Sequence, residues 1–489
     1  MPNILILKLL ITQIPTITVL QIMNNGIFIQ SLLIGYSFIC IRPLLENLKV
    51  KNKIIIYGTS FSFFWGFSSM VLILCLIIDT YFSINIYNSI FIYSIVFLSC
   101  FFLNKSAKGS LSFKDVIVFS LTCLTAYLTS YFQLPRMRGG DGFWLAQIAI
   151  SLSDGTVDVG DFAGAGHRAP LWIILETNSL MTSNYFLINF QHISALITLL
   201  ILVSIILDKS NSRYENIAFA LLLLCLVSAP AFIALSIYFE IHSFGSLLII
   251  LLWYFSQIYN YKDSNHLFIS IVVVLLCSTL SLARFEGFLL ALPFLYKFFL
   301  IDKKILNFKI YLGLFSVNAL WYINLINLGI VHKSSSEFIF LVISIIPYMS
   351  IMFFLLIKKY LSFKNLFNIQ LLVVFLLLIF SSQFREIIFT FYNILNFYGG
   401  WGSTGPLFLI FIIYLTYKFF IKNIRKENLF SENISIMIIL GLQLITFFGN
   451  TTLGWRYGLT SSANRLFYMI VPILILDFYK EFKLNQSNS

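Results

Sequence analysis

Asp141 is the carboxylate in this chain best placed for chemistry, because it lies in a polar segment and at the start of a predicted helix. Asp141 lies in the sequence Gly-Gly-Asp-Gly, inside the longest polar stretch of an otherwise apolar chain. Apolar residues follow it at helical spacing, which predicts an amphipathic helix that begins beside the carboxylate and lies among the lipid headgroups at the membrane interface. They are Trp144, Leu145, Ile148 and Leu152. A carboxylate held in this way can accept a proton from a weak nucleophile such as a hydroxyl group, so Asp141 is the candidate general base.

A second polar cluster closes the same stretch. His167 and Arg168 stand just before Pro170, where the sequence becomes apolar again. A guanidinium group can hold a phosphate through two parallel hydrogen bonds. We therefore expect a single polar loop, residues 134–168, to carry acidic and basic groups together. Its other acids, Asp154, Asp158 and Asp161, do not have the spacing of a calcium loop and are interpreted as solvated.

Composition predicts the class of protein that must position these groups. Hydrophobic residues make up 59% of the chain and charged residues 11%, against about 25% charged in soluble domains. Repeated apolar stretches match the ~20 residues that a helix needs to cross the bilayer. The sequence thus predicts an all-α polytopic transmembrane protein with about 12 to 16 helices. The predicted spans are 4–22, 26–42, 54–79, 84–103, 115–133, 186–207, 217–239, 243–258, 266–283, 286–301, 308–328, 337–357, 367–383, 404–421, 434–449 and 465–481.

The net charge of +12 comes from basic clusters between these spans, which the positive-inside rule assigns to the cytoplasm. Both termini are then cytoplasmic, and the connections around Asp141, Glu240, Arg284 and Arg465 lie on the opposite side. The apolar stretch 169–185 does not fit this alternation as a span, so it is expected to dip into the membrane or lie along its surface. No basic cluster grows into a soluble domain, which argues against a nucleic-acid partner.

The predicted organisation is a transmembrane extension of about four helices, residues 1–114, followed by one membrane domain, residues 115–489. The bias towards Ile, Phe, Lys and Asn is typical of an AT-rich genome. A bacterial plasma (inner) membrane, with the candidate site facing the periplasm or exterior, is the simplest localisation.

The order of the motifs resembles the GT-C class of integral membrane glycosyltransferases, of the protein-mannosyltransferase and lipid A aminoarabinose transferase type. The resemblance begins with the Asp141 loop and its closing His167-Arg168-Ala-Pro-Leu, and it covers roughly residues 119–479. Three later motifs continue it. They are Val-Ser-Ala-Pro followed by Tyr-Phe-Glu240, Leu-Ala-Arg284-Phe-Glu286-Gly, and Ser-Ala-Asn-Arg465-Leu-Phe-Tyr with Pro472.

The resemblance implies a GT-C-like helical bundle and a polyprenyl-phosphate-linked sugar donor. The acceptor would be a glycan, a lipid or a protein, and the partners would include membrane lipids. Asp141 would be the base of an inverting transfer. Arg284, Arg465 and Arg168 would bind the donor phosphate. The remaining site residues, which would contact substrate, are Glu240, His167 and Glu286.

The sequence departs from the family at the catalytic position. The family often has two adjacent acids there, whereas in this chain Gly142 follows Asp141. No paired-acid metal motif, CxxC or Cys/His spacing for zinc is present. No cofactor is predicted, and a divalent metal is compatible with the family but not indicated by the residues.

Other interpretations stay open at this stage. Asp141 is also a good helix-capping residue, and arginines at helix ends commonly anchor in lipid headgroups. A lipid-oligosaccharide flippase or transporter would have as many helices, but with internal repeats and ionisable groups near the midplane. An O-antigen-type polymerase or ligase would use external Arg and His residues such as His332 and Arg385. A non-enzymatic membrane subunit would be indifferent to the loss of Asp141.

Overall fold

The computed structural model describes residues 26–82, 89–107, 110–132, 139–154, 170–183, 186–187, 189–209, 213–229, 232, 241–259, 261, 265–283, 287–301, 305–327, 413, 468–477 and 479. Every regular element in these ranges is helical, and they contain no strand. The helices are α1 Gly26–Ser37, α2 Arg42–Asn47, α3 Lys53–Phe82, α4 Ser89–Ser106, α5 Phe113–Phe132, α6 Gly139–Ser153, α7 Pro170–Ser183, α8 Phe190–Lys209, α9 Arg213–Ser228, α10 His242–Gln257, α11 His266–Ala283, α12 Gly287–Ile301, α13 Phe308–Asn327 and α14 Tyr468–Asp477.

Five segments of the described chain are long and apolar enough to cross a membrane. They are Gly26–Asn47, Lys53–Asp79, Ser89–Ser106, Phe190–Asp208 and His266–Ala283. Large apolar side chains on other helices also lie exposed, among them Leu121 of α5 and Leu224 of α9, with 57% and 64% of their surface uncovered. Apolar surface of this extent is typical of lipid contact. The prediction of an all-helical membrane protein is therefore confirmed.

The predicted spans agree closely with several helices. The span 266–283 coincides with α11. The span 243–258 is shifted by one residue at each end from α10, and 308–328 extends one residue beyond α13. The spans 4–22, 337–357, 367–383, 404–421 and 434–449 lie, apart from residue 413, outside the described residues. The total of about 12 to 16 helices and the GT-C-like bundle stay predictions.

The chain divides into two compact units. The first consists of Met1–Asp158 and Leu171–Phe190, and the second of Val159–Pro170 and Gln191–Ser489. The domain boundary predicted at residue 114 lies inside the first unit. This division by compactness does not test that boundary, because a catalytic domain is defined by its activity, so the boundary stays a prediction.

Inside the first unit α1 and α5 approach each other at a glycine. A Cβ atom added at Gly35 would lie 2.2 Å from the Cys123 sulfur and 3.0 Å from the Phe119 carbonyl oxygen. Aromatic rings fill the neighbouring core. The ring of Phe190 lies 5.3 Å from those of Phe61 and Trp65. A small residue at the helix crossing thus allows close contact, which is how helices gain dispersion energy in lipid.

An ion pair joins α2 to the beginning of α5. The guanidinium Nη1 of Arg42 lies 3.0 Å from Asp115 Oδ2, and Asp115 is buried. The same carboxylate accepts hydrogen bonds from the backbone N–H and the hydroxyl of Ser112, at 2.5 and 2.8 Å. Asp115 therefore satisfies the helix terminus and neutralises Arg42 at once. Arg42 also pairs with the more exposed Glu46.

In the second unit every residue of α10 from His242 to Ser256 is buried. α14 packs against it so closely that a Cβ added at Gly245 would lie 2.2 Å from the Met469 methyl carbon. Two side-chain hydrogen bonds join the same helices. The indole Nε1 of Trp253 donates to Asp477 at 3.0 Å, and the hydroxyls of Ser243 and Tyr468 are 3.2 Å apart.

Candidate functional site

Asp141 is the third residue of α6, which begins at Gly139. An acidic residue in the first turn of a helix is favoured by the positive end of the helix dipole. The helix predicted to follow this carboxylate is therefore present. The side chain of Asp141 itself lies outside the described part of the chain, so its role stays a prediction.

The apolar stripe of α6 packs against protein. Leu145, Ile148 and Leu152 are all at least 95% buried, as are Ala146 and Ala149. The sequence predicted that this stripe would seat the helix among lipid headgroups, and that expectation was wrong for these side chains. Protein on this face holds α6 in one orientation more firmly than headgroups would, because a packed interface has few alternative arrangements.

α7 begins at Pro170, as the sequence motif suggests, because proline is favoured in the first turn of a helix. Its residues from Leu171 to Ser179 are all buried. The stretch therefore does not lie along a surface. Fourteen residues span only about 21 Å, less than the ~30 Å of hydrocarbon. The hydroxyl of Thr177 donates to the Ala149 carbonyl oxygen at 3.5 Å, so α7 is one of the elements that cover α6.

The other predicted site residues fall between helices. Glu240 precedes α10 by two residues, Arg284 directly follows α11, and Glu286 directly precedes α12. Arg465 stands three residues before α14. These residues and the pair His167 and Arg168 lie outside the described residues, so their convergence on one cavity stays a prediction.

A buried acid on α7 was not anticipated from the sequence. Glu176 is fully buried, and its Oε2 accepts the backbone N–H of Leu187 at 2.8 Å. Its Oε1 has no hydrogen-bond partner within the described part of the chain. Burial raises the pKa of the Glu176 carboxyl to about 8, although the Leu187 hydrogen bond acts in the opposite direction. The signal was present in the sequence, since Glu176 is the single acid of the apolar stretch 169–185.

A glutamine from α1 contacts the C-terminal end of α7, one to two turns after Glu176. The amide Nε2 of Gln30 lies within 3.0 Å of three oxygens, the hydroxyls of Ser179 and Ser183 and the carbonyl of Phe186. Neutral polar side chains thus line the end of α7 that leads into the connection to α8.

A polar seam also joins α11 and α13 in the second unit. The Nδ2 group of Asn318 donates to the Ser278 carbonyl at 2.9 Å and to the Ser281 hydroxyl at 2.6 Å. The phenol of Tyr322 donates to the Ser281 carbonyl at 3.0 Å. The seam thus approaches the end of α11 that leads into Arg284.

Within the described ranges no group of three His, Cys, Asp or Glu side chains could hold a metal ion. Comparison with protein-family models, with curated proteins and with solved structures finds no match for this chain. The resemblance to the GT-C class therefore depends on the sequence motifs.

Proposed function

We propose that this chain is an integral membrane glycosyltransferase. It moves a sugar from a polyprenyl-phosphate donor to a glycan, lipid or protein acceptor at the non-cytoplasmic face, in a bacterium the periplasmic side of the inner membrane. The observation that carries the proposal is the position of Asp141, in the first turn of a helix whose apolar side is packed against protein. A base of this kind needs a fixed orientation, and a packed helix provides it.

The reaction follows from the chemistry of these groups. An acceptor hydroxyl attacks the anomeric carbon, and Asp141 accepts its proton. The bond between that carbon and the phosphate oxygen breaks, and polyprenyl phosphate leaves with the bonding electrons. Arg284, Arg465 and Arg168 meet the negative charge that grows on the phosphate. One in-line displacement inverts the anomeric configuration.

The remaining proposed residues position the substrates. Glu240 and Glu286 accept hydrogen bonds from sugar or acceptor hydroxyls, and His167 contacts the substrate at the end of the loop that Asp141 begins. No step requires a metal ion, because proton removal and phosphate binding are both provided by side chains of this chain.

A second candidate is a transporter or flippase of lipid-linked sugars, and Glu176 is the observation that favours it. A buried carboxyl with an unpartnered oxygen is the kind of group that proton-coupled transporters use. Glu176 lies in the middle of α7, whereas the other candidate site residues are expected near helix ends.

Purified protein in vesicles distinguishes the two candidates. The substrates are polyprenyl phosphates carrying radiolabelled glucose, mannose or N-acetylglucosamine, with bacterial membrane glycolipids as acceptors. A transferase releases polyprenyl phosphate and labels an acceptor. A flippase moves the intact labelled lipid between leaflets and releases nothing. If the protein shows neither transfer nor flipping with any of the three donors, the proposal is contradicted.

A further inference from the structure

Exposed lysines gather at one end of the first unit, where three apolar segments meet the edge of the membrane. The candidate spans Gly26–Asn47 and Ser89–Ser106 end there, and the span Lys53–Asp79 begins there. The positive-inside rule assigns this end to the cytoplasm. The lysines, which come from three separate segments and are all exposed, are Lys49, Lys51, Lys53, Lys105 and Lys114.

Hydrogen bonds join the segment that carries Lys105 to the one that precedes Lys49. Asn104, the neighbour of Lys105 on α4, donates from Nδ2 to the Cys40 carbonyl oxygen at 2.6 Å. Its Oδ1 accepts the backbone N–H of Leu44 on α2 at 3.3 Å. The end of α4 is therefore held against α2, although the two are far apart in the sequence.

The segment that carries Lys114 is joined to the same place. Asp115, the next residue, pairs with Arg42 of α2 at 3.0 Å and accepts the phenol hydroxyl of Tyr57 on α3 at 3.5 Å. Tyr57 stands four residues, or about one helical turn, after Lys53. The buried carboxylate of Asp115 thus brings the beginnings of α3 and α5 and the helix α2 together, and their lysines share one surface.

This surface keeps a net positive charge. Within the described residues at this end, the acids are Glu46 and Asp115, and both lie against the guanidinium of Arg42. Six cationic side chains, the five lysines and Arg42, therefore accompany two carboxylates that one arginine already engages. An anionic partner can bring its charge to the lysines without displacing a buried ion pair.

The backbone at Lys49 also indicates a lysine that matters for its charge. Its φ of 59° lies in the left-handed region, just past the end of α2, and its N–H donates to the Glu46 carbonyl oxygen at 2.8 Å. Glycine or asparagine usually occupies such a position, because a larger side chain is strained there. The side chain of Lys49 is exposed, so burial does not offset the strain.

Exposed aromatic rings beside the lysines select the class of partner. Phe101 and Phe102, about one turn before Lys105 on α4, have 46% and 59% of their surface uncovered, and Phe113, directly before Lys114, has 79%. Such rings next to cations are typical of the membrane interface. A nucleic acid would meet only the cations and leave the rings in water, whereas a phospholipid offers its headgroup to the lysines and its acyl chains to the rings.

We propose that this lysine surface binds anionic phospholipids of the adjoining leaflet. The headgroup phosphate lies among Lys49, Lys51, Lys53, Lys105 and Lys114, and the acyl chains run along the exposed aromatic rings of α4 and α5. The site is independent of the proposed sugar transfer, so its failure would leave that function untouched.

The test is a triple variant that removes one charge from each segment, Lys51→Gln with Lys105→Gln and Lys114→Gln. The full-length protein, purified in a neutral detergent at low salt, is titrated with dioleoyl phosphatidylglycerol and, in parallel, with dioleoyl phosphatidylcholine. The two lipids share their acyl chains and differ in net headgroup charge. Bound lipids are counted by native mass spectrometry, and each variant is first checked for a wild-type unfolding temperature.

A second triple variant is the matched control, with Lys303, Lys304 and Lys309 changed to glutamine. These lysines lie just before α13 and at its beginning, on the same predicted side, and their replacement removes the same charge from a different place. A third variant changes Lys51, Lys105 and Lys114 to arginine, which keeps the charge of the surface.

Wild type should bind phosphatidylglycerol in preference to phosphatidylcholine. Each lysine removed from the surface should weaken phosphatidylglycerol binding about fivefold, and the triple variant about 100-fold. The control triple and the arginine triple should bind as wild type does. Lys49→Gly should bind about fivefold less tightly and unfold at a higher temperature, because glycine accepts the backbone conformation at this position.

Equal losses in the surface triple and the control triple would show that affinity follows total charge, and would overturn the site. Wild-type affinity in the surface triple would overturn it as well. Displacement of the lipid by an equal concentration of glycerol phosphate, which has the charge without the acyl chains, would mean that a soluble phosphate is the ligand. If the triple variant does not assemble, the single substitutions Lys51→Gln, Lys105→Gln and Lys114→Gln decide the question in the same way.

Discussion

The carboxyl group of Glu176 and the backbone of Leu187 are joined by a hydrogen bond of 2.8 Å that links α7 to the connection leading into α8. One residue earlier, the Phe186 carbonyl lies 3.0 Å from the amide of Gln30. Side chains from α7 and α1 thus hold two neighbouring residues of a short connection. Because a buried carboxyl and not an amide provides one of these bonds, we expect the stability of this connection to depend on pH.

Glu176→Gln should make stability independent of pH in the window where wild-type stability changes. Burial raises the pKa of Glu176 from 4.5 to about 8. Below pH 4.5 the Glu176 carboxyl is protonated in both the folded and the unfolded state. Between pH 4.5 and 8 only the folded state holds the proton, so the free energy of unfolding falls as pH rises. Above pH 8 both states are ionised and no further loss occurs. At pH 8 the variant should unfold at least about 3 °C higher than wild type.

Thermal unfolding from pH 5 to 9 in one detergent measures this difference. Asp154→Asn is the control, since Asp154 is exposed. Parallel pH profiles of Glu176→Gln and wild type would mean that Glu176 is ionised in the folded protein.

Asp115→Ala should destabilise the first unit by about 2 to 3 kcal/mol. The substitution removes the partner of Arg42 and the cap of α5 at once, and breaking a buried ion pair is costly. Glu46→Gln removes a more exposed partner of the same arginine and should cost less than about 1 kcal/mol. Denaturation in mixed micelles compares the two, and equal losses would show that burial of Asp115 does not matter.

Topology is tested with two exposed positions that the positive-inside rule places on opposite sides. Asp154→Cys, at the end of α6, should react with a membrane-impermeant maleimide in intact cells. Lys51→Cys, in the basic segment before α3, should react only after permeabilisation. The native cysteines Cys40, Cys75, Cys100 and Cys277 are buried and give a low background. Labelling of both positions from the same side would remove the shared sidedness on which the candidate site depends.

The sequence was sufficient for most helix bounds because these depend on local information. α11 could be predicted to the residue, since an apolar run between polar ends has one way to lie in a membrane. The surroundings of a helix could not be predicted in this way. The apolar stripe of α6 was recognised from the sequence. The residues that pack against it include those of α7, about 28 positions further along the chain, and local sequence does not indicate them.

The candidate site was predictable to the same extent. A motif places Asp141 at a helix start, which the backbone of α6 bears out. The burial of Glu176 and, within the described part of the chain, the unpaired oxygen of its carboxyl, by contrast, exist only after the helices have packed. Composition does not carry that information, because the same residue on an exposed helix face would be solvated.

Replacement of Arg284 or Arg465 by alanine should weaken binding of bare polyprenyl phosphate, with little effect on folding. Lysine at either position should restore part of the affinity, because it keeps the charge and loses the two-pronged geometry. Arg213→Ala, at the beginning of α9 on the predicted cytoplasmic side, is the matched control and should bind normally. Unchanged affinity in both alanine variants would mean that these arginines are headgroup anchors.

Asp141→Asn is expected to abolish sugar transfer while leaving the protein folded. The substitution keeps the size and much of the hydrogen-bonding capacity of the side chain and removes its basicity. Loss of a general base lowers a rate by about 10² to 10⁴, whereas loss of a helix-terminal acid costs only about 1 kcal/mol of stability. These magnitudes separate the catalytic role from the capping role, since only the first predicts a large kinetic effect in a stable protein. Asp154→Asn, directly after the C-terminal end of the same helix, should transfer sugar normally. The measurement is release of polyprenyl phosphate by reconstituted variants whose donor affinity and unfolding temperature match wild type. Near-normal transfer by Asp141→Asn would move the base to another carboxylate, of which Glu240 is the next candidate.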